Sequence, residues 1–122
     1  FVSAFVQKGA ELITVVTNDS WYGETSGPYQ HKEFAILRAV ENRRSVVRCA
    51  NGGISCIINA LGVTLAETEL FKRTYLVGEV PIQSEKTFYA ENPAVIPVLC
   101  SVFSLWIFGM NILFWLRNKF KI

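Results

Sequence analysis

Five residues are of the right types, and close enough in the chain, to border a reacting group. Asn18, Asp19, Trp21 and Gly23 fall in the stretch Asn18-Asp19-Ser20-Trp21-Tyr22-Gly23-Glu24-Thr25-Ser26-Gly27-Pro28, and His31 follows it. An amide, a carboxylate and an imidazole can orient or exchange protons, and an indole offers a wide apolar face with one N–H donor. The bland alternative is a surface turn in which Trp21 merely packs and His31 caps or lines the loop. No nucleophile accompanies His31. Cys49 and Cys56 fall within strand-like runs with no histidine nearby and no helix start to lower a thiol pKa. They could meet across a turn, but small buried hydrophobes are the expectation. Cys100 lies in an apolar run. Cysteines at 49, 56 and 100 with a single histidine do not form a metal pattern, so no metal or other cofactor is expected. Asn51-Gly52-Gly53 lacks the lysine and the strand-to-helix setting of a phosphate loop. Glu41, with Arg38, Arg43 and Arg44, reads as an ion-pair face on one helix.

The elements that must position these residues follow from periodicity. Phe1, Val2, Phe5 and Val6 have the spacing of one helix face, and Lys8-Gly9 ends it. Leu12 to Thr17 is short, β-branched and continuously apolar, as suits a parallel strand covered on both faces, and the Asn18 loop leaves its carboxyl end, where α/β proteins place ligands. Tyr29 to Arg43 has helical spacing, with Phe34, Ile36, Leu37 and Val40 on an apolar side and Ala35 and Ala39 small enough for close approach to a sheet. Ser45 to Ala50 is a second strand, Ile54 to Asn59 and Val63 to Thr68 form a hairpin around Ala60-Leu61-Gly62, and Thr74 to Ile82 is a further strand. The order predicts an α/β fold with a mixed sheet layered by helices.

The charge is unevenly placed. Residues 1–92 carry nine positive and ten negative side chains, residues 93–116 none, and residues 117–122 three positive ones. A near-neutral folded part without a basic stripe excludes a nucleic-acid partner. Ala94 to Leu116, as a helix of ~34 Å, exceeds a hydrocarbon core of roughly 30 Å. Pro93 and Pro97 stand at its start, while Phe114 and Trp115 precede Arg117, Lys119 and Lys121. That arrangement predicts a transmembrane helix with a cytoplasmic carboxyl terminus and the preceding 92 residues on the other side. Ser101, Ser104, Gly109 and Asn111 give it one side suited to packing against other helices. A buried core helix is the alternative, and all-round apolarity argues against it.

Four motifs in order, Asn18-Asp19-Ser20-Trp21-Tyr22-Gly23, Gly27-Pro28-Tyr29-Gln30-His31, Arg38-Ala39-Val40-Glu41-Asn42-Arg43-Arg44 and Asn51-Gly52-Gly53-Ile54-Ser55, resemble the C-terminal half of the nitrilase-like domain of the apolipoprotein N-acyltransferase family. The resemblance implies part of a nitrilase-like αββα sandwich over residues 1–92, one transmembrane helix over 93–116 and a basic cytoplasmic tail over 117–122. It further implies a multi-pass enzyme of the bacterial inner membrane with its domain on the periplasmic side. Such an enzyme moves an acyl chain from a phospholipid donor, through a cysteine thioester, to the N-terminal amine of a diacylglyceryl lipoprotein. The family's Glu, Lys and Cys are expected upstream of Phe1, so no catalytic residue falls within the 122, which alone are expected to be inactive. Asn18, Asp19, Trp21, Gly23 and His31 are the substrate-pocket residues it implies. The alternatives are a membrane-tethered carbon–nitrogen hydrolase, in which water resolves the acyl-cysteine, and a tethered binding module without activity.

Overall fold

A computed structural model describes residues 1–120, so Lys121 of the basic tail lies outside the described residues. The chain divides into two units, Phe1–Glu91 and the segment from Asn92 onward. In the first, α1 (Val2–Gln7) precedes β1 (Leu12–Asn18), and a 3-10 turn (Ser20–Tyr22) leads to α2 (Gly27–Asn42). Then come β2 (Ser45–Asn51), β3 (Cys56–Ile58), β4 (Thr64–Glu67) and the short α3 (Phe88–Glu91). The strands form one mixed sheet in the order β1-β2-β3-β4, parallel between β1 and β2 and antiparallel thereafter. The expected mixed sheet with helices is therefore present.

Register decides which side chains face α2. Ile13 pairs with Val46, Val15 with Arg48, and Arg48 with Cys56, so these share one face of the sheet. Ala35 and Ala39 of α2 pack there against Val46, Cys56 and Ile58, with Ile13, Val15 and Ile36 at the edge. The two alanines bring helix and sheet together as expected, but the larger apolar residues of α2 behave differently. Phe34, Leu37 and Val40 are exposed, because the small side of the helix is the one that meets the sheet.

Several expectations are corrected. β1 is not covered on both faces: Val16 is 82% exposed and Cys49, its register partner, is exposed as well, since α2 covers only one side. The pairing of Cys49 and Cys56 as buried hydrophobes thus holds for Cys56 alone. Thr74 to Ile82 forms no strand. It crosses the other face instead, where a Cβ at Gly78 would fall 2.7 Å from Ile57 Cδ1 and where Ser45 Oγ donates to Pro81 O (2.8 Å). The hairpin strands are shorter than expected. α2 begins two residues earlier, with Pro28 in its first turn, so His31 lies inside the helix and is not its cap. Arg43, at φ 51°, closes that helix.

Arg44 does not join an ion-pair face. It is fully buried and donates from Nε to Ala10 O (2.8 Å), from Nη1 to Glu85 O (2.6 Å) and Arg43 O (3.0 Å), and from Nη2 to Ser84 O (3.1 Å). Only Arg38 pairs with Glu41 (3.1 Å). The same end of the sheet is tied by Gln7 Nε2, which donates to Ala90 O (2.8 Å), and by Thr87 Oγ1, which donates to Glu41 O (2.7 Å).

The second unit is α4 (Val95–Lys119), 25 residues with a mean hydropathy of 2.0 over its most apolar window and no buried residue. It is long and apolar enough to cross a membrane, at about 37 Å. Three of its polar side chains bond within the helix: Ser101 and Ser104 donate to Pro97 O and Cys100 O (2.8 Å each), and Asn111 Nδ2 donates to Ile107 O (2.9 Å). Lys119 Nζ lies 4.8 Å from the centre of the Trp115 ring.

Candidate functional site

The parallel pairing of β1 and β2 brings Asn18 beside Asn51, and the loops that leave both strands meet at this end of the sheet. Asn18 organises the first loop. Its Oδ1 accepts from Ser20 N (3.2 Å), Ser20 Oγ (2.8 Å) and Asn51 Nδ2 (3.1 Å), and its backbone carbonyl accepts from Trp21 Nε1 (2.7 Å). With its N–H satisfied locally, Trp21 lies stacked on Tyr22 at 4.5 Å and remains 75% exposed. Gly23, at φ 62°, turns the chain toward α2 in a conformation that a side chain would strain. At Gly27 a Cβ would collide with the Tyr22 ring at 2.5 Å, so that glycine makes room for the loop.

Beneath this exposed loop sits a charge cluster. Asp19 is 0% exposed. Its Oδ2 accepts from Arg48 Nη2 at 2.5 Å, its Oδ1 meets His31 Nδ1 at 2.8 Å, and its backbone N–H donates to Asn51 O at 2.9 Å. Arg48, equally buried, also donates from Nε to Ile54 O (3.2 Å) and from Nη1 to His31 O (3.3 Å). One ion pair thereby joins the end of β1, the middle of β2, the first turns of α2 and the β2–β3 turn. A buried pair is tolerable only when its remaining donors find acceptors, as they do here. A Cβ at Gly53 would fall 2.7 Å from Asp19 Cβ and closer still to Oδ2, so the β2–β3 turn can approach the carboxylate only as glycine.

Of the residues singled out from sequence, Asp19 and His31 touch each other and Asn18 touches Trp21, while Gly23 acts through the backbone. Arg48 and Asn51 were missed. The signal for Arg48 was present: in Ser45-Val46-Val47-Arg48-Cys49-Ala50, a period of two puts Arg48 on the same face as Val46 and Ala50, and an inward arginine demands a counter-charge.

A cleft of about 660 Å³ opens at the same end of the sheet, on the face away from α2. Val16, Ser20, Cys49, Gly52, Phe71 and Arg73 border it. A smaller cavity of about 410 Å³ lies among Glu24, Tyr29, Ile54, Glu67 and Glu69, and Lys32 reaches across to pair with Glu67. Burial pushes the Cys56 thiol up, with Arg48 and Lys32 pulling it the other way, so this sulfur is held protonated and inert. Among the described residues no group of three or more His, Cys, Asp or Glu side chains could hold a metal ion.

Residues 2–89 match the family model described as carbon–nitrogen hydrolase. The chain is also similar to enzymes named apolipoprotein N-acyltransferase. That of Chlorobaculum tepidum is 43% identical over 99 residues, which is 81% of this chain and 19% of the relative. That of Geobacter metallireducens is 44% identical over 86 residues, 70% and 16% respectively. Apolipoprotein N-acyltransferase 1 of Treponema denticola is 34% identical over 119 residues, 96% of this chain and 21% of the relative. The chain thus spans about a fifth of the length of these curated relatives. With the match running from α1 into α3, across the whole sheet and the Asp19 cluster, the chain belongs to the carbon–nitrogen hydrolase family.

Proposed function

We propose that these residues are the carboxy-terminal part of a membrane N-acyltransferase, which takes an acyl chain from a phospholipid onto a cysteine and passes it to the terminal amine of a lipoprotein. The observation that carries this reading is the joining, in one chain, of a carbon–nitrogen hydrolase fold to a membrane-length helix that begins only four residues after α3. An enzyme whose donor and acceptor both reside in a bilayer gains from being held there. The similarity to N-acyltransferases supports it, since in the Treponema relative it extends over nearly the whole chain.

In this reading the Asn18–Gly23 loop borders the acyl pocket, with Trp21 as an exposed apolar face free to meet a chain. The reactive cysteine, base and oxyanion lysine lie outside the 122 residues. That agrees with the placement of the thiols present: Cys49 lies exposed within a strand, Cys56 is buried and held protonated, and Cys100 sits in the apolar helix. Arg117, Lys119 and Lys121 support a cytoplasmic carboxyl terminus, with the folded unit on the periplasmic side of an inner membrane. The test is the full-length protein in vesicles with a phospholipid donor and a diacylglyceryl peptide acceptor. Acyl-cysteine that is discharged by the peptide amine supports the transferase. Acyl-cysteine discharged only by water supports a membrane-tethered hydrolase, the reading that the family's description favours. An absence of acyl-cysteine refutes both and leaves the binding module.

A further inference from the structure

We infer that Asp19 is a positioning residue: clamped by Arg48, it holds His31 as the Nδ1–H form and so locks the Trp21 loop and the first turns of α2 into one geometry.

The inference starts from donor and acceptor bookkeeping. The Arg48 guanidinium offers only donors, and the carboxylate it pairs with can only accept hydrogen bonds. One carboxylate oxygen takes the guanidinium at 2.5 Å, and the other lies 2.8 Å from His31 Nδ1. Two acceptors cannot share that distance, so the hydrogen sits on Nδ1. In neutral His31 the lone pair is then on Nε2, and no side chain or carbonyl among the described residues bonds to it. The imidazole is one-third exposed and meets the Tyr22 ring edge-on, with centroids 6.1 Å apart. Tyr22 in turn carries Trp21 stacked upon it. A chain of contacts therefore runs from the buried Arg48 through Asp19, His31 and Tyr22 to the exposed indole. Rotation of the imidazole would break the Asp19 bond and withdraw the support under Tyr22.

The consequence is specific to one ring nitrogen. An asparagine at position 31 can place an N–H near the Nδ1 position, whereas glutamine places its amide near Nε2. In the full-length protein, His31→Asn is expected to form acyl-cysteine within about threefold of the unaltered rate per folded molecule. His31→Gln and His31→Leu are expected to lose about tenfold, the scale of one hydrogen bond to a charged group. Glutamine matching or exceeding asparagine would overturn the inference, as would full activity of the leucine variant. The activity arm rests on the acyltransferase reading, and a second arm does not. Nitrogen resonances of His31 in the unaltered protein should show Nδ1 bearing hydrogen at neutral pH, and a hydrogen-free Nδ1 overturns the lock whatever the enzyme does. If the unaltered protein forms no acyl-cysteine, the functional reading fails and the resonances alone decide on Asp19.

Discussion

Two buried arginines stand four residues apart, one just before β2 and one at its middle, and they are satisfied in opposite ways. Among the described residues Arg44 has no carboxylate partner: its guanidinium is wrapped by backbone carbonyls from the α1–β1 turn, the end of α2 and the segment before α3. Arg48 has Asp19, and through it a histidine. Carbonyl dipoles fix backbone to backbone, which is what an architectural joint needs. A carboxylate fixes side chains, and its two oxygens can hold two partners in a set relation, which is what a site needs. The difference marks the Arg44 side of β2 as a joint between backbone segments and the Arg48 side as one that fixes side chains.

The largest effect expected from breaking this contrast is at Asp19. Asp19→Asn leaves a buried guanidinium without a counter-charge and should cost about 3–5 kcal/mol in denaturant unfolding. Adding Arg48→Met should recover part of it, because the orphan charge is removed, and a double variant as unstable as the sum of the singles would refute the pairing. Arg44→Met should cost about 2–4 kcal/mol by stranding several carbonyls, with Arg44→Lys repairing little, since three donors on one atom cannot span the same fork. Full repair by lysine would show that charge, not geometry, matters at the joint.

Gly53→Ala comes next. Its Cβ has to displace either the turn or the Asp19 carboxylate, at about 1–3 kcal/mol. An unchanged melting temperature would mean that the turn yields freely and does not press on the cluster. The smallest change in stability is expected for Trp21→Ala, within about 0.5 kcal/mol for so exposed a side chain. On the proposed transferase reading its effect is on the rate of acyl-cysteine formation in the full-length protein, down by about tenfold through lost apolar contact with an acyl chain. Normal activity with a large loss of stability would reverse the assignment of Trp21 from pocket to packing.

Much of this was legible because local patterns suffice for it. The β-branched runs gave β1 and β2, Ala35 and Ala39 gave the face of α2 that meets the sheet, and the uncharged stretch gave α4. The loop at the end of β1 was placed by that strand alone. What could not be read depends on partners distant in sequence. Asp19 and Arg48 are separated by 29 residues and are joined only once the β1–β2 register is known. Thr74 to Ile82 has strand-like composition, but a strand also needs a free edge to pair with, and this segment lies across a face. Cys49, expected as a small buried hydrophobe of a strand, is exposed because it lies on the face of β2 away from α2.

The joint at Arg44 also sets how the unit carries mechanical load. Segment Ser84–Glu91, from which the chain continues toward α4, is riveted to the amino-terminal end of β2, while the Asp19 cluster sits toward its far end. The strand between, seven residues long, measures about 23 Å. A displacement arriving at Glu91 would meet Arg44 and the Gln7 and Thr87 bonds first. The Asn18–Gly23 loop shares none of these bonds, so it can keep its geometry when the segment before α4 shifts.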